Sequence, residues 1–142
     1  MTNEALQSRV TELYKSGLHC SQVMMLLSQE LRGEDEPTVI SAMGGLAGGL
    51  YMGLNCGTLS GGACLLASYC ARGSEEDSDS RMYKGMVVQL VDWFNSEFGA
   101  LNCSELVSPD RAARLEKCPT LLVKTFEKCL EILQENGIDP RE

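Results

Sequence analysis

The sequence predicts an all-α protein: a single domain, residues 1–142, built as a compact bundle of five or six helices with a glycine-rich turn before a central buried helix. Three observations carry this prediction. Apolar residues recur at three- and four-residue intervals along most of the chain, the period of an amphipathic helix. No segment alternates apolar and polar residues over five or more positions, so strands are not expected. Hydrophobic residues make up 44% and charged residues 23% of the 142 positions, the balance of an ordinary globular domain. A chain of this length buries roughly two-thirds of its unfolded surface and does not need disulfides to fold. Internal repeats are not evident.

Taken in order, Leu6, Val10, Leu13 and Tyr14 mark a first helix from about Asn3 to Ser16, closed by Gly17. A second runs from Cys20 to about Leu31, with no Pro or Gly inside, and stops at Arg32-Gly33. After the turn at 33–37, Pro37 fits the first turn of a short helix over Thr38–Met43. Eight of the fourteen glycines then fall between Gly44 and Gly62. Glycine in such numbers is unfavourable in helix by ~1 kcal/mol each, which points to a tight turn and closely packed backbones. A helix from about Gly57 to Ala71 is apolar nearly all round and is expected at the centre of the bundle, ending at Arg72-Gly73. The acidic stretch Ser74–Ser80 reads as a solvated loop.

From Arg81 to Phe98, residues Met82, Met86, Val87, Leu90, Val91, Phe94 and Phe98 define the clearest amphipathic helix. Gly99–Asn102 breaks it, and Ser104–Val107 forms at most one turn. Pro109-Asp110 starts a short polar helix leading to Cys118, and a separate last helix spans Pro119 to Gln134, ending at Asn136-Gly137.

Charge and hydropathy exclude several functions. Twelve basic against twenty acidic side chains give a net charge of −8, which repels phosphate backbones, so no nucleic-acid partner is expected. No run of eighteen apolar residues occurs and the first residues lack a signal-peptide pattern, so no membrane insertion and a cytoplasmic location are expected. The glycine-rich run lacks both the dinucleotide fingerprint and the lysine of a phosphate-binding loop.

Chemistry points to the seven cysteines, at 20, 56, 64, 70, 103, 118 and 129. An odd count in a chain expected to be cytoplasmic argues against a disulfide scaffold. Cys20, Cys56, Cys103 and Cys118 stand at or just before predicted helix starts, where unpaired amides and the positive dipole end favour the thiolate, which is both nucleophile and metal ligand. Cys118 has the sharpest local case, because Pro119 suits a first helical position and would leave Cys118 at the N-cap. Gly57 allows close approach to Cys56. Cys64, Cys70 and Cys129 lie inside helices and are read as packing residues. His19 is read as a capping or surface residue, since neighbours on a helix point about 100° apart. A stripe of Cys56, Ser60 and Cys64 is geometrically possible, and a small-residue packing face with Gly61 explains it equally well.

The residues Ser16–Val23 around Cys20, the stretch Cys56-Gly-Thr-Leu-Ser-Gly61, Cys103 after Phe98–Asn102, and Cys118 resemble the C_GCAxxG_C_C family of redox-active proteins over nearly the whole chain. Thr58 stands where the family's central Cys-Gly-Ala-x-x-Gly motif has alanine. The resemblance implies that these four cysteines are the functional ones.

Three readings follow. In the first, Cys20, Cys56, Cys103 and Cys118 bind an iron–sulfur cluster or zinc for electron transfer, with Gly57 and Gly61 letting amides approach the sulfurs. In the second, a low-pKa Cys56 performs cluster-free thiol–disulfide exchange, with Cys20 or Cys118 resolving. In the third, the protein is a non-catalytic helical interaction or metal-storage module whose acidic surface and Met-rich helix (Met24, Met25) face a partner. The expected partner is a redox protein, a small thiol or another electron carrier, and a homo-oligomer is compatible with the sequence.

Overall fold

The computed structural model describes residues 2–71, 73–75 and 82–142. Among the described residues the fold has seven α-helices: α1 (Asn3–Lys15), α2 (Cys20–Arg32), α3 (Pro37–Met43), α4 (Gly57–Ala67), α5 (Met82–Phe98), α6 (Cys103–Leu106) and α7 (Arg111–Glu135). Five are long, and α3 and α6 are short connecting pieces. Among the described residues there is no strand, only an isolated antiparallel bridge between Asn55 and Asn102, and no helix is long and apolar enough to cross a membrane.

Local chemistry sets the boundaries. The Thr2 hydroxyl caps α1 by accepting from the Ala5 amide at 3.1 Å, and the α1 residues Leu6, Val10 and Leu13 are buried. Gly33 ends α2 in the left-handed conformation, as the Arg32-Gly33 signal requires. The acidic stretch predicted at Ser74–Ser80 and the helix ends at Arg72 and Arg81 fall mostly outside the described residues.

Helix α4 is central, as its apolar surface predicts, packing against α2, α5 and α7. It stops at Ala67, a turn earlier than the periodicity suggests. Gly61 is what allows its approach to α2: a Cβ there would stand 3.0 Å from Ser21 Cα and 3.1 Å from its carbonyl oxygen. On α5, Met86, Leu90 and Phe94 are buried as expected, whereas Met82 is exposed.

Two expectations fail. Met24 and Met25 are not exposed to a partner; both are buried, Met24 within the hydrophobic core. The break expected at Cys118-Pro119 is also absent, and α7 runs through Pro119. Proline in a helix interior forfeits one backbone hydrogen bond and costs about 3 kcal/mol. Here Asp110 caps the helix by accepting from the Ala113 amide, and Cys118, Leu121 and Leu122 are buried around the proline, so packing outweighs the local penalty.

The glycine-rich segment forms a 3₁₀ turn at Gly44–Leu46 and a π turn at Gly49–Gly53, with Leu50 and Tyr51 in the left-handed region at φ 58° and 59°. The turn is pinned: the Tyr51 hydroxyl donates to the Gly44 carbonyl and that of Ser104 to the Gly53 carbonyl, both at 2.9 Å.

Candidate functional site

Four elements bring the thiols together. Cys20 is the first residue of α2, Cys56 the N-cap of α4, and Cys103 the first residue of α6. Cys118 lies within α7 and not at a helix start, because the helix continues through Pro119. Its sulfur is therefore served by side chains and not by the free amides of Thr120 and Leu121.

Cys56 and Cys103 are fixed by backbone. The Cys56 amide donates to the Leu101 carbonyl at 2.8 Å and the Cys103 amide to the Leu54 carbonyl at 2.7 Å. These two bonds flank the Asn55–Asn102 bridge, so the two cysteines leave it side by side. The helix start does help the Cys56 sulfur, through the amides of Thr58 and Leu59, but burial outweighs those bonds and its pKa is raised. The expected low-pKa role of Cys56 is thus corrected: desolvation beats the helix end.

The low-pKa thiol is Cys118. Cys20 is its partner, and this pairing is the largest influence on both thiols, pulling Cys118 down and pushing Cys20 well up. Burial opposes the fall at Cys118, while the Tyr14 hydroxyl and the charges of Arg114 and Lys117 reinforce it, leaving Cys118 at about 6. The proton is favoured on Cys20 because the Tyr14 hydroxyl and the charges of Arg114 and Lys117 favour the ionised form of the other thiol. Thr58 sits between the two halves of the site. Its side chain is fully buried, its hydroxyl makes no conventional hydrogen bond, and the groups it faces are the sulfurs of Cys20 and Cys56. Cys20 thus neighbours both Cys118 and Cys56, and Cys56 neighbours Cys103.

Among the described residues, no three or more His, Cys, Asp or Glu side chains are grouped so that they could hold a metal ion. Gly57 and Gly61, expected to let amides reach a cofactor, are taken up by packing against the 46–47 turn and Ser21. The remaining cysteines behave as packing groups: Cys129 is fully buried with its pKa raised by burial, burial also raises Cys64, and Cys70 is half-buried. Ser60 bonds back to the Cys56 carbonyl at 3.3 Å, so the Cys56–Ser60–Cys64 stripe has the small-residue, packing character. His19 is exposed at the N-cap of α2.

The sequence alone does not mark Tyr14, Arg114 or Lys117 as site residues. Thr58 carries a signal, as the departure from the motif's alanine. A cavity of about 710 Å³, bordered by Leu6, Leu27, Phe126 and Ile138, has no cysteine in its wall. Residues 18–132 match the family model described as "Putative redox-active protein (C_GCAxxG_C_C)". No curated protein and no solved structure matches the chain.

Proposed function

The chain belongs to the C_GCAxxG_C_C family of redox-active proteins, and on that premise we propose that it works by thiol–disulfide exchange, with Cys118 as the attacking thiolate and Cys20 as the resolving thiol. What carries this reading is the pairing of Cys20 with Cys118, which favours the thiolate at Cys118 and the thiol at Cys20.

The steps follow from ordinary thiol chemistry. The Cys118 thiolate attacks one sulfur of a disulfide, RS–SR, forming a Cys118–S–SR bond and releasing RS⁻. That thiolate takes up the proton of Cys20. The Cys20 thiolate then attacks the Cys118 sulfur, closing a Cys20–Cys118 disulfide and releasing the second RS⁻. Two electrons leave the dithiol and one disulfide is reduced. Tyr14, Arg114 and Lys117 stabilise the starting thiolate, and the depressed pKa also makes Cys118 a good leaving group in the reverse direction.

The test is disulfide mapping. Reduced protein is treated with one equivalent of bis(2-hydroxyethyl) disulfide, quenched in acid, alkylated and digested. The expected product is a Cys20–Cys118 disulfide, and Cys20→Ser should instead accumulate the mixed disulfide on Cys118. A first bond at any other cysteine overturns the assignment. The four-thiolate alternative, an iron–sulfur cluster or zinc, is tested by iron, zinc and acid-labile sulfide analysis after anaerobic purification. Stoichiometric metal released by Cys56→Ser and Cys103→Ser alike would replace the exchange reading.

A further inference from the structure

A groove of about 390 Å³ opens where the end of α1, the turn before α2 and the first turns of α7 meet, bordered by Tyr14, Leu18, His19, Arg111, Arg114 and Leu115. It lies beside the thiol pair: Tyr14 on its border is close enough to Cys118 to favour the thiolate, and His19 directly precedes Cys20. Along α7, Arg111, Arg114 and Cys118 are spaced so that all three fall on one helix face.

The charge of this groove is opposite to that of the molecule. The chain as a whole carries −8, yet no Asp or Glu borders the groove. Asp110, adjacent in sequence, has its carboxylate on the Ala113 amide at 3.3 Å as the cap of α7. Among the described residues neither Arg111 nor Arg114 forms an ion pair. Arg114 spends its Nε–H on the Ser108 carbonyl at 3.3 Å, which fixes the guanidinium and leaves its terminal N–H groups available. Guanidinium groups recognise carboxylates through paired hydrogen bonds, and the cavity has the size of a small-molecule site.

From this arrangement we infer that the groove binds low-molecular-weight disulfides bearing carboxylates, with Arg111 and Arg114 holding the carboxylate while a sulfur is presented to Cys118. The inference rests on the exchange reading above and names its substrate class. The reaction is that already written, with R carrying the negative charge, and the reduced protein itself supplies the two electrons.

Three matched aliphatic disulfides test it: 3,3′-dithiodipropionate, bis(2-hydroxyethyl) disulfide and cystamine, which are anionic, neutral and cationic. The rate of modification of Cys118 by each, in the full chain, is divided by the rate with free 2-mercaptoethanol thiolate to remove intrinsic differences. The expected normalised order is anionic, then neutral, then cationic, with about a tenfold span at low ionic strength that shrinks in 1 M salt, where the Debye length is about 3 Å. Arg111→Gln should lower the anionic-to-neutral ratio about threefold, and Arg111→Glu should invert it. Equal normalised rates in the unmodified protein, or a ratio unmoved by Arg111→Gln, overturn the inference and leave the exchange reading intact. Failure of all three to modify Cys118 defeats the exchange reading itself.

Discussion

Tyr14, in the last turns of α1, directs its hydroxyl at the sulfur of Cys118 in the middle of α7. Burial first and Cys118 second hold the phenol protonated, and the phenol in turn favours the ionised thiol. Replacing Tyr14 by Phe keeps the ring and removes the donor. A hydrogen bond to a charged group contributes about 1.5–3 kcal/mol, and one pKa unit corresponds to about 1.4 kcal/mol. The Cys118 pKa should therefore rise from about 6 by roughly one to two units. The pH dependence of Cys118 alkylation, followed on its own peptide by mass spectrometry, measures this. An unchanged midpoint would remove Tyr14 from the site.

The same thiolate should make stability depend on pH. The folded pKa of Cys118 is depressed, so its contribution is present above the unfolded value and is lost as pH falls through about 6. Cys20 has the opposite sign: its folded pKa is raised, so its contribution is present below the unfolded value and is lost as pH rises through the folded one. Between about pH 6 and 8.5 only the Cys118 effect is changing. Denaturation of the reduced protein across that window should show stability rising with pH in the parent relative to Cys118→Ser. A constant difference between the two would contradict a depressed pKa.

Much of this architecture is legible in the sequence because helix periodicity and stop signals are local. Gly33 ending α2, the buried face of α5 and the central position of α4 all follow from residues within a few turns of one another. The continuation of α7 through Pro119 is not local: the proline argues for a break, and only burial of Cys118, Leu121 and Leu122 against other helices overrides it. The choice of low-pKa thiol fails for the same reason. Sequence assigns a helix-end amide effect to Cys56 but cannot weigh it against burial, nor foresee that Tyr14 and Arg114 converge on Cys118. The left-handed conformations of Leu50 and Tyr51 carry no sequence signal at all, since neither residue favours them.

Thr58 offers a prediction in which stability and reactivity move apart. Its hydroxyl is buried without a conventional partner, and a buried unsatisfied hydroxyl costs about 1–3 kcal/mol. Thr58→Val, equal in shape, should raise stability by about 1 kcal/mol. It should also push the Cys56 pKa further up, since the hydroxyl opposes the effect of burial there. Thermal unfolding together with Cys56 alkylation measures both, and Thr58→Ser should restore the parent reactivity. A rise in stability with no change at Cys56 would make the hydroxyl a packing compromise only.

Two glycine replacements isolate what close packing contributes to the site. Gly85, within α5, has nothing within 4 Å of where a Cβ would stand, so Gly85→Ala should gain the helix propensity of alanine, up to ~1 kcal/mol. Gly61→Ala gains the same local term and loses more. Its Cβ would meet the Ser21 backbone at 3.0 Å, and backbone cannot turn aside as a side chain can. Overpacking of this kind costs about 1–3 kcal/mol, so the net change should be destabilising. Because Ser21 adjoins Cys20, displacement of α2 should also loosen the Cys20–Cys118 contact and raise the Cys118 pKa. Melting temperatures moving in opposite directions for the two variants, with the Cys118 alkylation midpoint shifting only for Gly61→Ala, would tie the glycine of the motif to the thiol pair through the α2–α4 contact. A shift of that midpoint in Gly85→Ala as well would show that α5, and not this contact, sets the geometry.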